Sequence, residues 1–408
     1  MRNRQREKKQ ANAFQAWKLD MPLILALVTL VIFGLIMLYS ASWDFSLLNY
    51  GDPTQMFFRQ VFTLTVGLLA FVAAALFDYR HWKKLAVPLI LIMIAGLSMV
   101  LIVGEVRFGS ARAISEGSYM PGELAKVFTI IYLSAWLSSK RHILGEIGFG
   151  LLPLIGIVGS IAGLIIVQPD LSAAATIIVI GAILFFLAGG ELKQIAYMLG
   201  GIFVLGLMLV QINSNWNFRL ASFLQGLQNP TEASYHVLRS FEAFVSGGWF
   251  GVGIGQASTK LTGLPVPPTD SIFAVVGEET GIFGITLLIG LYLIVLWRGL
   301  RIANRSQNHF GVMLAAGIAL WIGMEAFINM AVMVGLLPFA GNALPLISYG
   351  GSSLVSTLFA LGILVNIGRL SEETDINKER LADATTRGRG GERRWGVSRA
   401  RRAARTNR

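Results

Sequence analysis

Cysteine is missing altogether from the 408 residues. Its absence excludes disulfides, thiol catalysis and cysteine-ligated metal centres. Histidine is nearly as scarce: His81, His142, His236 and His309 are scattered and match no metal-ligand spacing. Charged residues make up 14% of the chain against 54% hydrophobic, a balance foreign to soluble globular domains. The net charge of +11 would suit nucleic acid if it were spread out. It is not: nine arginines and one glutamate fall between Arg387 and Arg408, so most of the excess is one tail.

What the chain has in abundance is apolar runs of about 20 residues, the length that crosses a bilayer core. They lie near 22–37, 57–77, 84–104, 121–138, 148–167, 171–189, 194–212, 271–297, 310–333 and 346–367. The fold class expected is therefore an all-α polytopic membrane protein with about ten transmembrane helices. A cleavable leader is disfavoured, because nine further spans follow the first; Tyr39–Ser42 is expected to lead into a short loop instead. Arg80, Lys83, Lys84, Lys140, Arg141, Lys193, Arg298, Arg301 and Arg305 fall in loops on one side, together with both termini. By the positive-inside rule that side is cytoplasmic. The organisation expected is a basic N-terminus (1–20), a transmembrane domain (21–369) and a disordered basic tail (370–408) attracted to anionic lipid.

One extracytoplasmic loop, about 213–270, precedes the eighth helix and is too long for a connector. Val237, Leu238, Phe241, Phe244 and Val245 predict a short amphipathic helix at the interface within it. Gly247–Gly255 lacks the Lys-Ser/Thr of a phosphate loop and reads either as flexible backbone or as a pocket for an extended lipid-linked substrate. The loop ends in Pro265, Pro267, Pro268, Thr269 and Asp270, and the prolines hold this approach extended. Asp270 then sits at the mouth of a membrane-length helix, either as a simple N-cap or as a working carboxylate.

Ionisable and irregular stretches near spans demand a reason, because charge in a bilayer is costly. Arg107 and Arg112 flank a Phe-Gly-Ser-Ala run on the outer side. Pro121 opens the next helix, placing Glu123 and Lys126 three apart on one face, where they form an ion pair or present Lys126 to an anion. Gln168-Pro169-Asp170 reads as a turn with Asp170 capping the next helix. Beyond Asp270, Gly277, Gly281 and Gly284 form a small-residue packing stripe, and at least one of Glu278 and Glu279 must face inward. Asn342–Ser353 mixes a break, glycines and hydroxyls at the last span, tolerated only where buried or lining a cavity. Arg112, Lys126, Arg219 and Arg239 thus form a cationic collar beside Asp270. Cations suit a pyrophosphate, and a carboxylate suits proton abstraction from a hydroxyl.

From Asp20 to about Arg369 these motifs resemble the SEDS family, the FtsW/RodA/SpoVE group of bacterial cell-wall proteins. The resemblance rests on Tyr39–Ser42, Gly109–Arg112, Pro121–Lys126, Gln168–Leu171 and, most specifically, Pro267–Glu279 and Leu344–Ser353. It implies a peptidoglycan glycosyltransferase that polymerises lipid II at the outer face of the bacterial cytoplasmic membrane. Its partners would be a class B penicillin-binding protein and membrane lipid, with no nucleic acid. By position Asp270 resembles the family's loop aspartate; Arg112, Glu123, Lys126, Arg219, Glu278 and Ser348 complete the candidate substrate-binding set. No cofactor is implied with certainty, though a divalent cation, magnesium or manganese, could share the work of the cations. Ala113 stands where the family usually has Trp, Pro268 where it has His, and Ser271 where it has Phe. A lipid-linked precursor flippase and a non-catalytic divisome scaffold are the alternative readings.

Overall fold

A computed structural model describes residues 19–103, 105–107, 110–113 and 120–372. Expectations for residues 1–18 and for the tail beyond 372 lie outside them. Asp20–Ile367 is one compact unit. In order, the helices are α1 (Met21–Tyr50), α2 (Gln55–Leu76), α3 (Arg80–Val103), α4 (Pro121–Lys140), α5 (Leu152–Val167), α6 (Leu171–Leu187), α7 (Leu192–Ile212), α8 (Ser214–Gln228), α9 (Tyr235–Gly247), α10 (Ile272–Arg305), α11 (His309–Met333) and α12 (Gly351–Glu372). A two-stranded antiparallel hairpin, β1 (Glu105–Arg107) with β2 (Ser110–Ala113), lies between α3 and α4.

Among the described residues eight helical stretches are long and apolar enough to cross a membrane: α1, α2, α3, Ile147–Val167, α7, α10, α11 and α12. The other two expected spans are also helical. α6 is apolar but has 17 residues; α4 has 20 and carries Glu123, Lys126 and Lys140. Around the bundle, Leu25, Phe58, Phe62, Leu91 and Phe203 are exposed, as lipid-facing surfaces require. Inside it, Trp321, Phe185, Phe273 and Phe310 are fully buried.

α1 runs on to Tyr50, so Tyr39–Ser42 lies within helix rather than leading into a loop. Asp20 caps α1 at the Leu23 amide and forms a bidentate pair with Arg298 of α10 at 2.8 and 2.5 Å. Arg298 is 16 residues beyond Ile282, roughly 24 Å along the second part of α10 at helical rise. Asp20 and Asp270 therefore mark opposite ends of the bundle.

The long loop contains the expected helix over Val237–Val245, as part of α9, and departs from expectation elsewhere. It holds two helices longer than one turn, α8 and α9, and α9 packs on α10 and α11, with Phe244 edge-on to Phe273 at 5.7 Å. The Gly247–Gly255 stretch is docked backbone, and the small-residue stripe of α10 is a break. Gly281 has φ +67 and ψ −167, which splits α10 into two half-helices. Gly248 and Trp249 offer their carbonyls to the amides of Ile282 and Phe283, at 3.0 and 3.2 Å. Val252 and Gly253 donate to the carbonyls of Glu278 and Glu279, at 3.0 and 3.1 Å. The loop thus satisfies both orphaned helix ends, the condition for breaking a helix at membrane depth. A Cβ on Gly281 would meet the Gly251 amide nitrogen at 2.5 Å.

A second irregular segment runs from Gly335 to Gly350. Gly34 lets it press on α1, where a Cβ would meet the Leu346 carbonyl oxygen at 2.5 Å. Buried Gln60 of α2 spans it, donating to the Ser348 carbonyl and accepting from the Gly350 amide, both at 3.3 Å. Tyr292 of α10 donates its hydroxyl to the Pro345 carbonyl at 2.5 Å. Leu346 has φ +68, a strained backbone for a branched residue.

Candidate active site

The two irregular segments meet at Asp270. Tyr349 donates its amide to the Pro268 carbonyl at 2.7 Å. Ser348 donates its hydroxyl to the Thr269 carbonyl at 2.6 Å and accepts from the Leu344 amide at 2.8 Å. Asn329 of α11 donates to the carbonyls of Asp270 and Asn342, at 3.0 and 2.6 Å. Three successive carbonyls are thereby gripped, and the half-buried Asp270 carboxylate is carried on a fixed main chain. The N-cap of α10 is Ser271, so Asp270 is not the cap that a bland reading made it. A Cβ on Gly341 would come 3.5 Å from Asp270 Oδ2 and 4.0 Å from Phe339 Cε1. Carboxylate and aromatic ring therefore flank one glycine.

Phe339 carries the cation on that side. Arg219 lies 5.2 Å from its ring centroid, and the His236 imidazole stacks on the ring at 3.9 Å. Burial, and then the Arg219 charge, push His236 down to about 4, so its ring is neutral at physiological pH. Arg239 is turned instead to Glu242 (2.6 Å) and the Tyr235 hydroxyl (3.1 Å) on its own helix.

Two turns deeper, α10 presents carboxylates of a different kind. Glu278 is fully buried and takes hydrogen bonds from the Ser258 amide (2.9 Å), the Ser258 hydroxyl (3.2 Å) and the amide and hydroxyl of Thr259. Glu279 is paired with Lys260 at 2.9 Å and accepts from Ser40 at 2.5 Å. Lys260 also donates to the Ser40 and Gly255 carbonyls, at 3.2 and 3.1 Å. A cavity of about 640 Å³ opens beside this network, walled by Leu35, Ile36, Tyr39, Trp43 and Phe57.

The other expected site residues have the following surroundings. Glu278 is enclosed by donors from Ser258 and Thr259. Ser348 is buried, and its hydroxyl serves the backbone on both sides. Lys126 is buried between Glu123, at 2.8 Å, and Glu325 of α11, above the Trp321 ring at 5.5 Å. Two carboxylates flank it, so the cluster has no net positive charge to offer an anion. Arg112 lies in β2, and its side chain is outside what is described. Asp170 caps α6 as expected, accepting from the Ala173 amide at 3.2 Å.

Sequence reasoning passed over Glu325, Lys260, Asn329, His236 and Phe339. Glu325 and Asn329 stood as lone polar residues inside an apolar run, a signal that asks for a partner. Lys260 was similarly visible as a cation ten residues before Asp270. The stacking of His236 on Phe339 spans two distant loops and leaves no local trace. Among the described residues no three carboxylate or imidazole groups converge. A divalent ion at Asp270 would therefore need pyrophosphate oxygens and water to fill its shell, as magnesium commonly does.

The chain matches the family described as "Cell cycle protein" (FtsW/RodA/SpoVE) over residues 21–373. It is 37% identical to a probable peptidoglycan glycosyltransferase FtsW of Trichlorobacter lovleyi, over 87% of this chain and 94% of that one. It is 34% identical to the stage V sporulation protein E of Bacillus subtilis, over 86% and 97%. Among solved structures it is similar to a chain from a peptidoglycan synthase complex that coordinates polymerization and crosslinking (TM-score 0.70, 25% identity, 87% and 99% covered). It is also similar to the rod shape determining protein RodA of Thermus thermophilus (TM-score 0.65, 26% identity, 86% and 97% covered).

Proposed function

The chain belongs to the FtsW/RodA/SpoVE family and is a peptidoglycan glycosyltransferase; we propose that it polymerises lipid II with Asp270 as general base. The acceptor sugar hydroxyl gives its proton to the Asp270 carboxylate as its oxygen attacks the donor's anomeric carbon. The bond from that carbon to undecaprenyl pyrophosphate breaks on the opposite face, inverting the centre. With Lys126 enclosed by carboxylates, Arg219 beside Phe339 and Arg112 of β2 are the cations proposed to steady the departing pyrophosphate. The observation carrying this reading is the grip on the Pro268, Thr269 and Asp270 carbonyls by Tyr349, Ser348 and Asn329. It fixes the carboxylate's position through the main chain, the preorganisation a base requires.

The topology we infer is ten spans, with α4 and α6 completing the eight, and both termini cytoplasmic. Asp270 then faces outward from the bacterial cytoplasmic membrane. The cavity beside Lys260, with its apolar and aromatic wall, suits part of a polyprenyl chain. A class B penicillin-binding protein is the partner expected for crosslinking, in line with the synthase complex to which the chain is similar. A flippase reading draws on the broken α10, since broken helices mark many transporters. Purified protein supplied with lipid II separates the two: Asp270→Asn abolishes glycan polymerisation if Asp270 is the base. A mutant that still extends glycan chains overturns the assignment.

A further inference from the structure

Glu325 is the least expected charge in the molecule. It sits in the middle of α11, is 3% exposed, and reaches Lys126 of α4. Lys126 needs no second carboxylate, because Glu123, three residues away on its own helix, already pairs with it at 2.8 Å. A third ionisable group in an apolar interior is costly and is what neutralisation alone would omit. The charged groups facing Glu325 are Lys126 and Glu123, both from α4. α6 has no ionisable side chain, and Glu278 and Glu279 of α10 are held by the 258–260 turn. What Glu325 adds is a tie between two helices.

That tie leads to Asp270. Trp321, Glu325, Asn329 and Met333 recur every four residues and so form one stripe along α11. Trp321 and Glu325 hold Lys126. One turn on, Asn329 holds the Asp270 and Asn342 carbonyls. Met333 Sδ lies 3.3 Å from the Ser240 hydroxyl of α9. At its start α4 is fastened as well, where the Met120 amide donates to Ser352 Oγ at 2.8 Å. From these contacts we propose that Glu325 is a positioning residue for the glycosyl transfer, fixing the height and rotation of α11 so that Asn329 holds Asp270 in register.

The proposal rests on Asp270 as the base, and the test keeps the two apart. Full-length purified protein is assayed for glycan polymerisation from lipid II as Glu325→Leu, Glu325→Gln, Asn329→Leu and Glu325→Leu/Asn329→Leu, with Asp270→Asn alongside. Glu325→Leu lowers kcat about tenfold or more and leaves KM within about twofold, since a misplaced base slows chemistry rather than binding. Glu325→Gln still accepts from Lys126 and restores kcat to within about threefold. The double variant is little worse than the worse single one, because both act through one element. Wild-type kcat in Glu325→Leu, multiplying effects in the double variant, or no rescue by Gln overturns the proposal. An active Asp270→Asn protein overturns the base assignment instead. Should Glu325→Leu fail to fold in detergent, Glu325→Gln against Glu325→Asp carries the test: the shorter acid, which cannot reach Lys126 without moving α11, must show the kcat loss.

Discussion

Asp270 and Glu278 stand eight residues apart on one stretch of chain and have opposite surroundings. Glu278 is sealed by donors from Ser258 and Thr259. Asp270 is held through its carbonyl, with its carboxylate half-buried beside Gly341. The same chemistry serves as a structural clamp in one place and suits proton transfer in the other. Position tells them apart: Glu278 is fully buried two turns further along α10, and Asp270 is half-buried at its mouth. Glu279 and Glu325 are buried like Glu278, and each is paired with a lysine.

The sharpest way to break this contrast is to neutralise both members. Asp270→Asn keeps shape and volume and should cost about 10³-fold or more in polymerisation rate, within the range for losing a general base. Its thermal unfolding midpoint should stay near wild type. Glu278→Ala should do the reverse, stranding buried donors of the 258–259 turn and costing about 3 kcal/mol. Lys260→Met is the companion case: it leaves Glu279 buried without its cation, a loss of about 3–5 kcal/mol by thermal denaturation in detergent. Adding Glu279→Met should recover most of that. Full activity in Asp270→Asn, or wild-type stability in Lys260→Met, would each dissolve the distinction.

A smaller loss is expected at the α10 break just past Glu279. Gly281→Ala adds a Cβ at φ +67, against the Gly251 amide. About 1–3 kcal/mol of strain should follow, seen as a lower unfolding midpoint. Faster proteolysis within 247–255 would locate the damage at the docked loop.

This break also marks where sequence reasoning stopped. Apolar run length was enough for the bundle, because lipid imposes one periodicity on every span. Asp270 was legible from its place after three prolines and before an apolar run. The break at Gly281 was not, since Gly277, Gly281 and Gly284 have the spacing of a packing stripe. Only the pairing of Ile282 and Phe283 with Gly248 and Trp249, more than thirty residues away, distinguishes a break from a stripe. The partners of Glu278 and Ser348 were hidden for a related reason: polar type and motif membership do not reveal what a side chain bonds to. Lys126 shows the same limit, as its second carboxylate comes from α11, 199 residues on.

The smallest effect tests the electrostatics beside Asp270. His236 is pushed down to about 4 from its ordinary 6.5. Between these values the unfolded chain binds the proton and the folded chain does not, so stability falls as pH drops through that window. Partial exposure of the ring limits the loss to about 1–2 kcal/mol. His236→Gln removes the titrating group, and its unfolding midpoint should decline less between pH 7 and pH 5 than that of wild type. Because the Arg219 charge is the second cause of the shift, Arg219→Gln should also flatten the wild-type decline, though by less, since burial of the imidazole remains. A decline in His236→Gln as steep as in wild type would mean that the Phe339 stack does not keep this imidazole neutral. The rim beside Asp270 would then carry a second cation in mild acid.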